Sequence, residues 1–266
     1  FAGAENTMTC EGIMRDGKAL QMATSHELGQ RFSRAFNISY SSAEDATELC
    51  WTTSWGASTR MLGGLIMCHG DDFGLVLPPA LAPVQVVVVV VKDTDGAVTR
   101  AASALVDELR ARGVRVSLDD NVAQAFGWRA TEWDLQGVPI RVELGPRDLA
   151  ENAAMLYRRD TRDKNKVAID NVVAEAQRLT GRIQTDMLEA ATARRDATVS
   201  DCTTLDQARD VAQTGVARLP WDLVGSSGEQ DLATGGLTVR CLQRSDGSLP
   251  ETDDDAGALA HIARAY

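Results

Sequence analysis

The spacing of apolar residues changes character along this chain. In "MTCEGIMRDGKALQMATS" two alternating segments flank Asp16-Gly17, a residue pair that favours a tight hairpin turn, so antiparallel strands are predicted on either side. The second segment runs into "TSHELGQRFSRAF". There Thr24 and Glu27 match a capping box, and Leu28, Phe32 and Phe36 recur on one helical face, predicting a strand, a cap and then a helix. "LCWTTSWGAS" reads as a further strand, rich in aromatic and β-branched residues, and "TRMLGGLIMCHG" as a helix ending near Gly70. That helix is apolar all round, which predicts burial.

Pro78, Pro79 and Pro83 then fall within six residues and predict a boundary, because proline breaks both helix and sheet. Beyond it the rhythm is different. Val84 to Val91 is a nearly pure valine run suited to a strand covered on both faces, and Val98 to Arg112 is an amphipathic helix with Ala101, Leu105 and Leu109 on one side, closed by Gly113. "VRVSLDD" returns as a strand, making a βαβ unit with parallel pairing. "FGWRATEWDLQG" and "VPIRVELGP" predict a second helix and a third strand, and "AMLYRRD" a fourth strand. A long helix follows from about Asp170 to Arg195, burying Val172, Val173, Ala176, Leu179, Ile183 and Met187. From Ala197 onward the pattern weakens to a short helix at Leu205 to Ala212, strands near "VARLPWDL" and "LTVRCLQ", an acidic loop at Asp253 to Asp255 and a terminal "HIARAY". The division predicted is 1–82, 83–196 and 197–266.

The length of 266 residues and a hydrophobic content of 44% are ample for more than one core. A net charge of −11 argues against a general nucleic-acid-binding surface, so any such site must be a local patch. The middle segment is the charge-dense one, with 17 basic and 18 acidic residues, and is where phosphate contacts are expected. Five scattered cysteines with no C-x-x-C spacing signal neither a disulfide framework nor a zinc ribbon, and fit a reducing, cytosolic setting. "VQVVVVVVK" is far too short to cross a bilayer. The sequence starts at Phe1 with no initiator Met and no signal peptide, which reads as a cut through a longer protein.

Several residues are candidates for chemistry. A dinucleotide site on the valine-run unit would need G-x-G-x-x-G, but the turn is "KDTDGAV", with two aspartates that repel phosphate. Thr24 alone is explained by capping, and His26 alone by a structural role. Together, Gln21, Thr24 and His26 are expected at the end of one strand with side chains on one surface, and Ser58 and Arg60 stand two apart at the end of the Trp55 strand. Arg60 also opens a helix, where free amides and the dipole favour an anion, so a phosphate ligand competes with a plain salt bridge. His69 with Asp71-Asp72 invites a metal, although a polar cluster ending a helix explains it with fewer assumptions. Asp253 to Asp255 reads as a solvated loop.

At "ALQMATSHELGQRF", "WTTSWGASTRMLGGLIMCHGDDFGLVLPP" and "RVELGPRDL" the sequence resembles the prolyl-tRNA synthetases of the archaeal and eukaryotic-like type, a type that also occurs in bacteria. The likeness runs from Phe1 to Tyr266. It implies a class II synthetase with α+β and α/β architecture: part of an antiparallel-sheet catalytic core, a five-stranded mixed α/β anticodon-binding domain, and a small α+β C-terminal domain. It further implies activation of L-proline by ATP, with Mg2+ accompanying the nucleotide, transfer to tRNA(Pro), and a cytoplasmic homodimer in the full-length enzyme.

The resemblance also implies roles for residues. Arg60 matches the class II motif 3 arginine that holds the outer phosphates of ATP, and with His26 is the expected catalytic pair. Gln21, Thr24 and Ser58 match ATP contacts. His26, Ser54, Trp55 and Gly56 match the pocket for the proline ring and its ammonium, where an indole face suits an apolar ring beside a cation. Glu143 and Arg147 would lie where the two guanines of the proline anticodon are read, a carboxylate accepting from a guanine amino group and an arginine donating to O6 and N7.

Two departures alter the expectation. Many relatives carry four cysteine zinc ligands, but the corresponding stretches here read "WDLVGSSGE" and "DGSLPETDDD", so no zinc is expected and Cys241 matches a non-ligand position. Nothing resembles motif 1 or motif 2, which lie upstream in the family, so this segment by itself is expected to be inactive. The competing reading is a non-catalytic tRNA-binding module or regulatory paralogue, against which the set of Gln21, Thr24, His26, Ser58 and Arg60 argues.

Overall fold

A computed structural model describes residues 2–250 and 257–266, so the acidic stretch Asp253 to Asp255 lies outside the described residues. The chain divides into two compact units, one made of Phe1–Met67 with Arg194–Tyr266 and the other of Cys68–Ala193. The first and last segments belong to one unit.

The first unit opens with a hairpin of β1 (Asn6–Ile13) and β2 (Ala19–Gly29). Its turn is closed by the Gly17 amide donating to the Met14 carbonyl at 3.0 Å. Gly17 has φ of +79°, a conformation that only glycine adopts without strain. β2 continues through Thr24 and Glu27 to Gly29, so these residues are strand and form no capping box. The helix predicted there shrinks to α1 (Arg31–Phe36), with Phe32 stacked on Phe36 at 6.3 Å between ring centroids. Local capping lost to cross-strand pairing: β2 bonds β1 on one side and, after a small hairpin of β3 (Ser39–Ser41) and β4 (Thr47–Leu49), β5 (Thr52–Ala57) on the other.

α2 (Arg60–His69) follows β5. Its apolarity had predicted burial all round, yet Gly64 is its single buried residue and Leu62 and Ile66 are more than half exposed. Gly64 is where the helix meets the sheet. A Cβ there would lie 2.9 Å from the Met22 sulfur, so a larger residue would require the Met22 side chain to move.

The second unit is an α/β layer. β6 (Val86–Val90) sits between β7 (Val116–Asp119) and β8 (Ile140–Leu144), parallel to both, and β9 (Ala153–Arg158) and β10 (Lys164–Ala168) extend the sheet antiparallel in the order β10-β9-β8-β6-β7. The helices α3 (Ala97–Ala111), α4 (Phe126–Leu135), α5 (Pro146–Ala150) and α6 (Val172–Ala197) connect or cover the strands. Valine fills β6 because both faces are dry. Val86, Val88 and Val90 pack into the main core with Leu105, Leu109, Ile140, Leu156, Ala176 and Ile183, while Val87 and Val89 pack on the other face with Val138, Phe126 and Trp133. Each fully buried leucine or isoleucine contributes about 1.5–3 kcal/mol through removal of apolar surface from water. The predicted inner face of the long helix, from Val172 to Met187, is buried as expected.

The rest of the first unit is a four-stranded sheet ordered β11-β12-β14-β13, from β11 (Val199–Asp201), β12 (Val216–Pro220), β13 (Leu237–Gln243) and β14 (Leu259–Arg264), with α7 (Leu205–Val211) and α8 (Gly225–Thr234) on its core face. It is tied to the hairpin at three points. Arg240 forms an ion pair with Glu11, the Tyr266 hydroxyl donates to Asp16 at 2.7 Å, and the Tyr266 amide donates to the Ala19 carbonyl at 3.2 Å.

Candidate functional site

Strict alternation would put Gln21 on the opposite side of β2 from Thr24 and His26, because 21 and 24 differ by an odd number. The register removes the conflict. Gln21 pairs with Glu11, Thr24 with Thr9 and His26 with Thr7, which are alternate residues of β1 and share one face; Met22 is the extra, unpaired residue of a β-bulge. The bulge thus brings Gln21, Thr24 and His26 to one surface. On the other side of β2, Thr24 faces Gly56 and His26 faces Ser54, so these two join the same surface. Trp55 pairs with Ser25 and alternates to the opposite face, 80% exposed. The indole expected over the proline ring stands on the other side of the sheet from His26.

The bulge also anchors the turn after β5. The Ser58 amide donates to the Met22 carbonyl at 3.4 Å, and Arg60 Nη1 donates to the Gln21 carbonyl at 3.1 Å. Ser58 Oγ in turn accepts from the Arg60 amide at 3.3 Å. Gln21, Thr24, Gly56, Ser58 and Arg60 line one open cleft of about 280 Å³. Among the described residues no carboxylate forms an ion pair with Arg60. The exposed guanidinium keeps its remaining N–H donors directed to solvent, where a planar fork of donors suits an anionic oxygen group. His26 lies about 7 Å beyond Thr24 along the same face by strand rise, its Nδ1 hydrogen-bonded to the Thr7 hydroxyl at 3.0 Å.

A larger cavity of about 640 Å³ lies between β1 and the four-stranded sheet, where Arg218, His261 and Cys241 form one cross-strand row. Its three arginines each hold a carboxylate: Arg218 with Asp201, Arg240 with Glu11, and Arg195 with Asp196. Size alone does not make it the site, because its charges are already matched.

In the second unit Glu143 and Arg147 are near in sequence but differ in environment. Arg147 is exposed on α5. Glu143 is buried on β8, with Oε1 accepting from Arg141 Nε at 3.0 Å and Oε2 from Lys164 Nζ at 2.9 Å. Arg141 is itself buried, donates to Asp134 at 2.6 Å, and lies 4.1 Å from the Tyr157 ring centroid. Neither Arg141 nor Lys164 stood out in the sequence. The signal was there for Arg141: two charges at i and i+2 within the apolar run Ile140, Val142, Leu144 must share a face and pair.

The cluster at the end of α2 has a structural occupant. Both oxygens of Asp71 accept from the fully buried Arg159, at 2.5 and 2.8 Å, and these bonds hold the Asp71 carboxyl below its ordinary value while burial pulls the other way. Among the described residues no group of three or more His, Cys, Asp or Glu is arranged to hold a metal, and no helix is long and apolar enough to cross a membrane.

Residues 85–179 match the family described as an anticodon binding domain. The relatives are more specific. Over the whole chain it is 52% identical to a proline–tRNA ligase of Frankia casuarinae and 49% identical to proline–tRNA ligase 2 of Streptomyces avermitilis, covering 57% and 56% of their lengths. Among solved structures, Giardia lamblia prolyl-tRNA synthetase in complex with prolyl-adenylate superposes with a TM-score of 0.88 at 28% identity, covering all of this chain and 59% of that one. The chain is similar to prolyl-tRNA synthetases along its whole length and spans a little over half the length of these relatives.

Proposed function

We propose that the chain is part of an enzyme that ligates L-proline to tRNA(Pro) at the expense of ATP. The observation that carries this reading is the cleft at the Met22 bulge, where Arg60 stands without a carboxylate among Gln21, Thr24 and Ser58, in a chain half identical to proline–tRNA ligases. In the first step the proline carboxylate attacks the α-phosphorus of ATP, forming prolyl-adenylate and releasing pyrophosphate. In the second a ribose hydroxyl at the tRNA 3′ end attacks the prolyl carbonyl and AMP leaves.

Arg60 would hold the outer phosphates, a role suited to its fork of donors, while Gln21, Thr24 and Ser58 contact the nucleotide. His26, Ser54 and Gly56 would receive proline further along the same face. Thr7 holds the His26 ring through Nδ1. Trp55, on the opposite face, would act on that pocket only indirectly. Mg2+ would arrive on the phosphates of ATP. In this reading residues 1–82 belong to the catalytic domain, 83–196 bind the anticodon through Glu143 and Arg147, and 197–266 form a C-terminal domain, the whole enzyme being a cytoplasmic homodimer.

The test is proline-dependent exchange of pyrophosphate into ATP, measured on this chain and on a polypeptide extended upstream. Exchange by the extended protein that falls with Arg60→Ala is the expected result. A protein that binds tRNA(Pro) yet never exchanges pyrophosphate, in either form, would be a tRNA-binding module instead.

A further inference from the structure

The two partners of Glu143 are not equivalent. Arg141 is 4% exposed and fixed on every side: Nη1 donates to Asp134 at 2.6 Å and to the Ala130 carbonyl at 3.2 Å, the guanidinium lies on Tyr157, and Nε reaches Glu143 at 3.0 Å. Lys164 comes from the edge strand β10, its side chain is 43% exposed, and its ammonium stands about as far from the Phe126 ring as from the Tyr157 ring, 6.0 and 5.9 Å. One carboxylate oxygen is thus bolted to the interior, and the other is capped from solvent by a mobile side chain type with three rotatable donors.

We propose that Arg141 is a positioning residue that holds Glu143 for recognition of an anticodon guanine, and that Lys164 is the partner the guanine displaces. This rests on the anticodon-reading role proposed above. Each carboxylate oxygen has two lone pairs, so Oε1 keeps its bond from Arg141 while Oε2 exchanges an ammonium N–H for a guanine N–H. The exchange replaces one donor by another and leaves the carboxylate with a cation, so no bare charge is buried when the base arrives. An unheld glutamate would lose rotamer freedom on binding RNA; here Arg141 has removed that freedom in advance. Lys164, once released, is free to turn to a backbone phosphate.

The experiment compares the full chain and its variants in binding an anticodon stem–loop RNA with two guanines and the same RNA carrying inosine, which lacks the 2-amino group, at either position. The expected wild-type preference for guanine over inosine at one position is about tenfold, and Glu143→Gln brings it near unity. Arg141→Met is expected to abolish the preference while the inosine RNA binds as to wild type, and Lys164→Met to keep it. Asp134→Asn, which loosens the Arg141 anchor without emptying the cluster, should reduce it partly, and decides the matter if Arg141→Met does not fold. Equal weakening of both RNAs by the Arg141 and Asp134 variants, or loss of the preference in Lys164→Met as complete as in Arg141→Met, overturns the division of roles. Absence of a preference in wild type at both positions overturns it together with the anticodon reading, whereas a preference abolished by Glu143→Gln but untouched at Arg141 and Asp134 sinks the positioning role alone.

Discussion

Arg60 is fastened to the main chain of Gln21, Nη1 to carbonyl oxygen at 3.1 Å, and Gln21 immediately precedes the bulge at Met22. The bulge therefore shapes both the strand that carries Gln21 and Thr24 and the guanidinium that closes the cleft. Arg60→Ala removes an exposed side chain held by the Gln21 carbonyl alone among the described residues, so melting should change little. Exchange of pyrophosphate by the upstream-extended protein should fall by roughly 10²–10³-fold, the loss usual for a donor aimed at transition-state charge. Paired melting and exchange measurements check both halves.

Thr7→Val keeps the strand and its volume but removes the hydroxyl from His26 Nδ1. With that hydrogen bond to the ring lost, KM for proline is expected to rise by roughly tenfold while KM for ATP stays near wild type, because one hydrogen bond contributes about 0.5–1.5 kcal/mol. Steady-state exchange with each substrate varied in turn separates the two. Equal changes in both would show that Thr7 supports the sheet and not the ring.

Asp71 compensates the buried Arg159, so Asp71→Asn should destabilise the second unit by about 3 kcal/mol, the low end for a broken buried pair because water reaches one side of Asp71. The sign of the pH effect follows from its lowered value. Between the ordinary value of 3.8 and the folded one, the unfolded chain binds more protons, so this contribution is complete above about pH 4 and is lost as pH falls through the folded value. Urea titrations between pH 3 and pH 6 should show a shallower acid decline in Asp71→Asn than in wild type.

Gly17→Ala would place a Cβ 2.0 Å from the Thr214 carbonyl oxygen at a residue with φ of +79°. The hairpin turn must then move away from the segment before β12, at a cost above about 2 kcal/mol. Faster hydrogen exchange at the Tyr266 amide, which donates to the Ala19 carbonyl, would report that the C-terminal strand has been freed.

The second unit was legible because its periodicities are strong: the valine run and the inner face of α6 are dictated by burial on known sides, and both were found where the spacing put them. β10 was missed because "KNKVA" is an edge strand whose polar residues face solvent, leaving no apolar alternation to read. At the cleft, the residues Gln21, Thr24, Gly56, Ser58 and Arg60 could be picked out, but their common face could not be derived by counting. It depends on an unpaired Met22, which is a property of the pairing and not of β2 itself. The false capping box at Thr24 and Glu27 has the same origin, since strands on both sides of β2 outbid a local bond. Likewise Glu143 looks like a free acceptor until Lys164 is brought beside it from 21 residues away.

The burial of β6 on both faces carries a consequence for biosynthesis. Its neighbour β8 is complete only at Leu144, 54 residues after Val90, which at ordinary ribosomal rates is a delay of roughly 3–10 s. Through that interval an uncharged valine ribbon emerges with one flank unpartnered, the composition most prone to intermolecular stacking. Lys92 and Asp93, immediately downstream, are the charges nearest to that ribbon.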